Sequence, residues 1–145
     1  MITRRLGAGW LLLLVGVGAA LWYLRDPPWL ADQTTGLRPW QQAADGTRYR
    51  WSGRHASFFV PSDDARIIVP IATTFSTPAD APMVVTFSID DLRGTRVLLT
   101  NGSWTRVTLE MPPRGSRRVR RIDVRTSVAR EGNHGVMIGE ALVER

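Results

Sequence analysis

The sequence predicts an all-β fold, a jelly-roll-like β-sandwich of about eight strands, preceded by one transmembrane helix. Three observations carry this. Beyond residue 47 the apolar residues come in short runs separated by Gly, Pro, Asp and Ser. No stretch there holds an i, i+3, i+4, i+7 apolar face over three turns. An uncharged run near the N-terminus stands apart from everything after it.

With 145 residues, 43% of them hydrophobic and 22% charged, the chain suits one globular domain beside that leader. Its net charge of +6 rests on arginine alone, because none of the 19 basic residues is lysine, and guanidinium stays protonated at any working pH. Cysteine is absent, which excludes disulfides, thiolate metal sites and cysteine nucleophiles.

The leader is "LGAGWLLLLVGVGAALWYL", residues 6–24. As a helix it covers roughly 28 Å, close to the thickness of a bilayer's hydrocarbon core. Arg4 and Arg5 precede it, whereas Arg25 is offset by Asp26, so the positive-inside bias leaves residues 1–5 in the cytoplasm and exports the rest. Trp22, Tyr23 and Trp29 suit an outer aromatic belt. A signal peptide cut after Ala20 is the competing reading; the apolar continuation through "LWYL" favours a retained anchor. Gly16 and Ala20 form a small-xxx-small pair that ordinary glycine content also explains.

Residues 25–46 carry three prolines and little periodicity, as a linker and docking segment would, with Trp40 the expected docking point. The domain over 47–145 then offers the strand-like runs "TRYRW", "ASFFV", "RIIVPIAT", "MVVTFSI", "TRVLLT", "SWTRVTLE", "RRIDVRTS" and "HGVMIGEALV". Asn101-Gly102 reads as a type I′ hairpin turn, and with Ser103 as a glycosylation sequon that the turn explains without modification. Pro61 with Asp63-Asp64, Pro78 with Pro82, and "MPPRGS" mark loops. Pro70 removes a ladder donor, which predicts an edge or bulged strand.

The arginine-rich "GSRRVRRIDVRTS" divides in two. From Arg121 the residues alternate, with Ile122, Val124 and Thr126 expected inside and Arg121, Asp123 and Arg125 outside, so that Asp123 damps the repulsion between its neighbours. That leaves Arg114, Arg117, Arg118 and Arg120 as a loop cluster able to contact anionic lipid or a polyprenyl-phosphate headgroup. Export argues against nucleic acid, and no recognition motif accompanies the arginines.

Chemistry has few footholds. His55 and His134 lack motif partners, G-x-S-x-G is missing, and no histidine spacing suggests a metal, so the chain reads as non-enzymatic and without a cofactor. A hydrolase built on His134 and a carboxylate is the outlying alternative. Asp63-Asp64 and Asp90-Asp91 lack the spaced oxygen ligands of a calcium loop and read as turns. Sugar binding would use exposed rings, and Tyr49, Trp51 and Trp104 are the candidates, with Asp91, Arg93 and Arg106 beside them. Against this, Trp51 alternates with Arg50 and Trp104 follows a turn, so either ring also suits core or hairpin packing.

The series "GLRPWQQAADGTRYRWSGRHASFFVP", "IIVPI", "VVTFSIDD", "GSWTRVTLEMPP", "RRIDVRTS" and "GVMIGE", over about residues 36–142, resembles the exported β-sandwich domain appended to bacterial membrane glycosyltransferases and found in small membrane-anchored proteins. The resemblance implies a carbohydrate-binding-like jelly roll outside the cytoplasmic membrane, with the "RW" strand, the "W" after the hairpin and the "R.D.R.S" strand as landmarks. The chain is expected to act as a non-catalytic binding or accessory module, for envelope glycans or for a membrane glycosyltransferase partner. The multi-span body that carries transferase chemistry is lacking here, so that activity does not transfer.

Overall fold

A computed structural model describes residues 3–73, 82–99, 102–113, 115, 117–129 and 134–144. The chain divides into two units, Met1–Leu30 and Ala31–Arg145. The first is dominated by α1 (Thr3–Arg25), whose final turn holds Arg25, a cation placed favourably at the negative end of the helix dipole. From Gly9 onward this helix exposes its apolar side chains, Leu12 and Leu14 among them. It is long and apolar enough to cross a membrane.

Beyond a 310 turn at Pro28–Asp32, the described residues hold ten strands. They are β1 (Thr34–Leu37), β2 (Gln41–Gln42), β3 (Arg48–Pro61), β4 (Arg66–Ala72), β5 (Met83–Ile89), β6 (Leu92–Leu99), β7 (Thr105–Glu110), β8 (Val119–Thr126), β9 (Met137–Gly139) and β10 (Leu142–Glu144). All pairings are antiparallel. One ladder runs β1–β3–β8–β5–β6 and the other β2–β3–β9–β4–β7, with β10 also pairing β4. Sharing β3 joins them into a nearly closed sheet.

The transfer from one ladder to the other occurs at Ser52. Residues Tyr49–Trp51 pair with β9, whereas His55–Pro61 pair with β8. Ser52 is fully buried; its N–H donates to the Val136 carbonyl at 2.8 Å and its Oγ accepts from the Val136 N–H at 3.0 Å. These bonds satisfy polar groups that burial would otherwise leave costly. The expected break between "TRYRW" and "ASFFV" is therefore a continuous strand of 14 residues.

Alternation fills the interior. β5 buries Met83, Val85, Phe87 and Ile89, and β4 buries Ile67, Val69 and Ile71. They meet Phe58, Val60, Val107, Leu109, Ile122, Val124, Val136 and Ile138 in one core. Each large apolar side chain so buried contributes about 1.5–3 kcal/mol over leaving it in water.

Several expectations are revised. Part of the segment read as linker, residues 34–37 and 41–42, pairs with β3 as strands. Pro70 lies in an internal strand, between β7 on one side and β9 with β10 on the other. Its missing donor is tolerated because the flanking partners, β9 at Ile71–Ala72 and β10 at Arg66–Ile68, are interrupted opposite it. The expected Asn101-Gly102 turn falls outside the described residues at Asn101; a two-residue turn with both central φ angles positive is present at Asp90 (49°) and Asp91 (64°). On β8, Asp123 shares a face with Arg121 and Arg125 but is buried, having the small Ser57 and Ser88 as cross-strand neighbours and Arg121 folded over it.

Candidate functional site

The register of β3 against β9 decides which way the aromatic residues point. Arg50 opposes Ile138, a core residue, while Tyr49 opposes Gly139 and Trp51 opposes Met137. Residues directly opposite share a face. Tyr49 and Trp51 thus lie on the outer side of the sheet and Arg50 on the inner side, the reverse of a core-packed Trp51.

Trp104, just before β7, joins them. The Tyr49 centroid lies 6.3 Å from that of Trp51 and 6.3 Å from that of Trp104, both edge-on, and the His134 ring lies 5.2 Å from Trp51. Edge-to-face packing at such separations holds rings in fixed relative orientation. All four are half-buried, leaving part of each ring open to solvent.

Pro70 and Gly139 lie beside this cluster. A Cβ on Gly139 would come within 3.1 Å of the Pro70 Cβ, so glycine lets Tyr49 and Pro70 flank a dip in the surface. Arg106 is paired with Pro70 on β7 and exposed, which puts a guanidinium on the same face. Sequence reasoning missed His134, Pro70 and Gly139 as members. Glycine two residues beyond a methionine on a short strand was the available signal.

The other candidates lie elsewhere. Asp91 is in the β5–β6 turn, in the opposite ladder from Trp104, with Oδ1 2.7 Å from Arg121 Nη2. The Arg93 side chain lies outside the described residues. Arg121 Nε also donates to Asp123 Oδ2 at 2.9 Å, and His55 Nε2 stands 3.4 Å from Asp123 Oδ1. The hydrogen bond to Asp123 holds the Arg121 pKa above arginine's ordinary value, against an opposing contribution from burial.

In the loop cluster, Arg120 is turned inward. Its Nη1 donates to Asp90 Oδ2 at 2.8 Å and its Nη2 to the Pro113 carbonyl at 2.8 Å, with the side chain 13% exposed. Arg117 and Arg118 are exposed, and their carbonyls accept from the Ser62 hydroxyl and N–H. Arg114 lies outside the described residues. Only Arg117 and Arg118 of that group therefore present exposed side chains among the described residues. No cluster of three or more His, Asp or Glu placed to hold a metal ion occurs among them either.

No protein-family model matches the chain, and no curated protein matches it. Solved structures similar to it include a family two carbohydrate esterase from Cellvibrio japonicus, at 12% identity and a TM-score of 0.49 over 77% of this chain and 31% of that one. A second is a family GH115 4-O-methyl-α-glucuronidase with specificity for decorated arabinogalactans, at 8% identity and 0.48 over 79% and 18%. A third is the GH26-CBM35 β-(1,4)-mannanase of Podospora anserina, at 14% and 0.45 over 80% and 27%. This chain spans less than a third of the length of each.

Proposed function

We propose that the chain is a membrane-anchored, extracytoplasmic and non-catalytic binding module on a jelly-roll-like sandwich, whose outer aromatic face takes an envelope glycan. One observation carries the reading: Tyr49, Trp51 and Trp104 gather on one face of the sheet with their rings part open. Sugar rings have apolar C–H faces that pack on aromatic rings and hydroxyls that need donors and acceptors alongside. Arg106 and His134 supply polar groups at the edge. The edge-on packing makes a bent surface, which suits a single soluble chain better than a flat array. The uncharged helix supports anchoring, because its exposed Leu and Val side chains need an apolar environment. The same module would hold the glycan for a membrane glycosyltransferase partner.

Full-length protein in a detergent without a sugar headgroup should bind a soluble bacterial envelope polysaccharide saturably. Trp51→Ala and Trp104→Ala should each weaken that binding by about tenfold, as expected for truncated anchor residues. Unchanged affinity in both variants would remove the aromatic face as the site.

A further inference from the structure

A second feature lies on the other side of β3. A cleft of ≈ 210 Å³ is lined by Trp40, Arg50, Phe58–Pro61 and Ile138–Ala141. Its walls are largely apolar, through Phe58, Phe59, Val60, Pro61, Ile138 and Ala141. Into this surface projects a guanidinium, because the register that sends Tyr49 and Trp51 outward turns Arg50 toward the core side.

The Arg50 guanidinium carbon stands 4.3 Å from the Trp40 ring centroid, and that of Arg48 stands 5.1 Å from the same ring. Cation–π contact orients both groups. It does not satisfy the hydrogen-bond donors that each guanidinium carries in the plane of its fork. Among the described residues, neither the Arg48 nor the Arg50 side chain has a hydrogen bond or an ion pair. Glu140, although it lines the cleft, makes no ion pair with either. Burial pushes the Arg50 pKa below arginine's ordinary value, the mark of a cation partly withdrawn from water without a compensating anion.

We propose that this cleft binds a small organic monoanion, a carboxylate on an apolar or ring-shaped body, with the Arg50 fork holding the carboxylate and the cleft walls covering the body. The planar fork matches a carboxylate bidentately, and partial desolvation strengthens that bond. The apolar walls give no help to a bare inorganic anion, and Glu140 at the cleft opposes a doubly charged anion more strongly than a singly charged one. Trp40 keeps the guanidinium in place before the ligand arrives, so little side-chain freedom is lost on binding. The site is separate from the aromatic face and stands or falls independently of it.

Benzoate is the probe, with benzamide as its uncharged counterpart and inorganic phosphate as the bare anion. Each is titrated calorimetrically into full-length protein in zwitterionic micelles, with empty micelles subtracted. Saturable benzoate binding is expected, with benzamide and phosphate each at least about tenfold weaker. Arg50→Gln should weaken benzoate at least about tenfold, while Trp104→Ala leaves it unchanged. No saturable benzoate binding, equal binding of benzamide, phosphate binding as tightly as benzoate, or an unaltered benzoate affinity in Arg50→Gln would each overturn the proposal. Should Arg50→Gln fail to fold, the benzoate-against-benzamide comparison on the unaltered protein decides.

Discussion

Arg120 and Asp90 are joined at 2.8 Å across thirty positions of sequence, and both side chains are largely buried. Asp90 Oδ1 also accepts from the Arg121 N–H at 2.9 Å, and the Asp90 N–H donates to the Arg121 carbonyl at 2.9 Å. Asp90 is thereby fastened to β8 by one ion pair and two further bonds. This fastening lets a non-glycine residue sit at a φ of 49°.

Removing the Asp90 carboxylate should leave the Arg120 cation short of its partner. Asp90→Ala is expected to cost about 2–3 kcal/mol in chemical denaturation, from the lost bonds and the uncompensated charge. Asp90→Gly removes the same carboxylate but relieves the left-handed backbone, and should be about 1 kcal/mol less damaging. Equal losses in the two variants would show that the turn is not under steric load.

Asp91 offers the opposite balance. Its φ is 64°, its side chain is 76% exposed, and its bond to Arg121 reaches into solvent. An exposed pair contributes roughly 0–1 kcal/mol, and glycine at a left-handed position recovers roughly 1 kcal/mol. Asp91→Gly should therefore fall within about 0.5 kcal/mol of the parent, or slightly above it. A loss comparable to that of Asp90→Ala would mean that the Arg121 bond matters more than its exposure suggests.

These two aspartates also show where sequence reading stops. The alternation in "MVVTFSI" exposes the core role of Met83, Val85, Phe87 and Ile89 directly, because period-two burial is a local property of a strand. The left-handed turn at Asp90-Asp91 is not local, since its partners Arg120 and Arg121 lie on β8. Pro70 misleads for a similar reason: the break between β9 and β10 that accommodates it lies about seventy residues on. In "TRYRW" the alternation is legible but its sense is not, and only the pairing with Ile138 reveals that Arg50 is the inward residue. The ring candidates Tyr49, Trp51 and Trp104 come together, whereas Asp91 belongs to another ladder.

Gly94 lies where the β5–β6 pairing shifts register. Phe87 opposes Thr95 and Ile89 opposes Leu92, so Ser88 alone faces two residues of β6, an extra-residue bulge. A Cβ on Gly94 would overlap the Phe87 carbonyl, which is backbone and has little room to yield. Gly94→Ala should cost roughly 3 kcal/mol or leave the protein insoluble, read from expression yield and denaturation midpoint. Gly102→Ala, whose Cβ would stand 3.0 Å from the Thr73 carbonyl, should be milder.

The β2–β3 connection carries a pH dependence. Asp45 Oδ1 accepts from the Thr47 N–H at 2.9 Å, and this bond holds the Asp45 pKa below its ordinary value of 3.8. A depressed carboxylate favours the folded turn above the unfolded pKa, and that contribution is lost as pH falls through the lower, folded value. Amide exchange at Thr47 should therefore gain protection factors above pH 4 that it lacks in strong acid, after correction for intrinsic exchange. Asp45→Ala should erase the difference, and an unchanged pH profile in that variant would dissociate the Thr47 bond from the titration.

The helix Thr3–Arg25 sets the topology expected in a cell. Its uncharged run from Leu6 to Leu24 is long enough for the hydrocarbon core, and Arg4 and Arg5 stand before it with no acidic residue in the first turn. Cytoplasmic retention of those arginines would carry the strands outward. A C-terminal fusion to a reporter active only outside the cytoplasm should be active, and the fusion should stay with the membrane pellet after an alkaline wash. Exchanging Arg4 and Arg5 for Glu should lower reporter activity, because the positive flank that orients the span is gone. Full reporter activity in the soluble fraction would indicate a cleaved leader, and an inactive reporter on the unaltered chain would place the aromatic face on the cytoplasmic side, away from any envelope glycan.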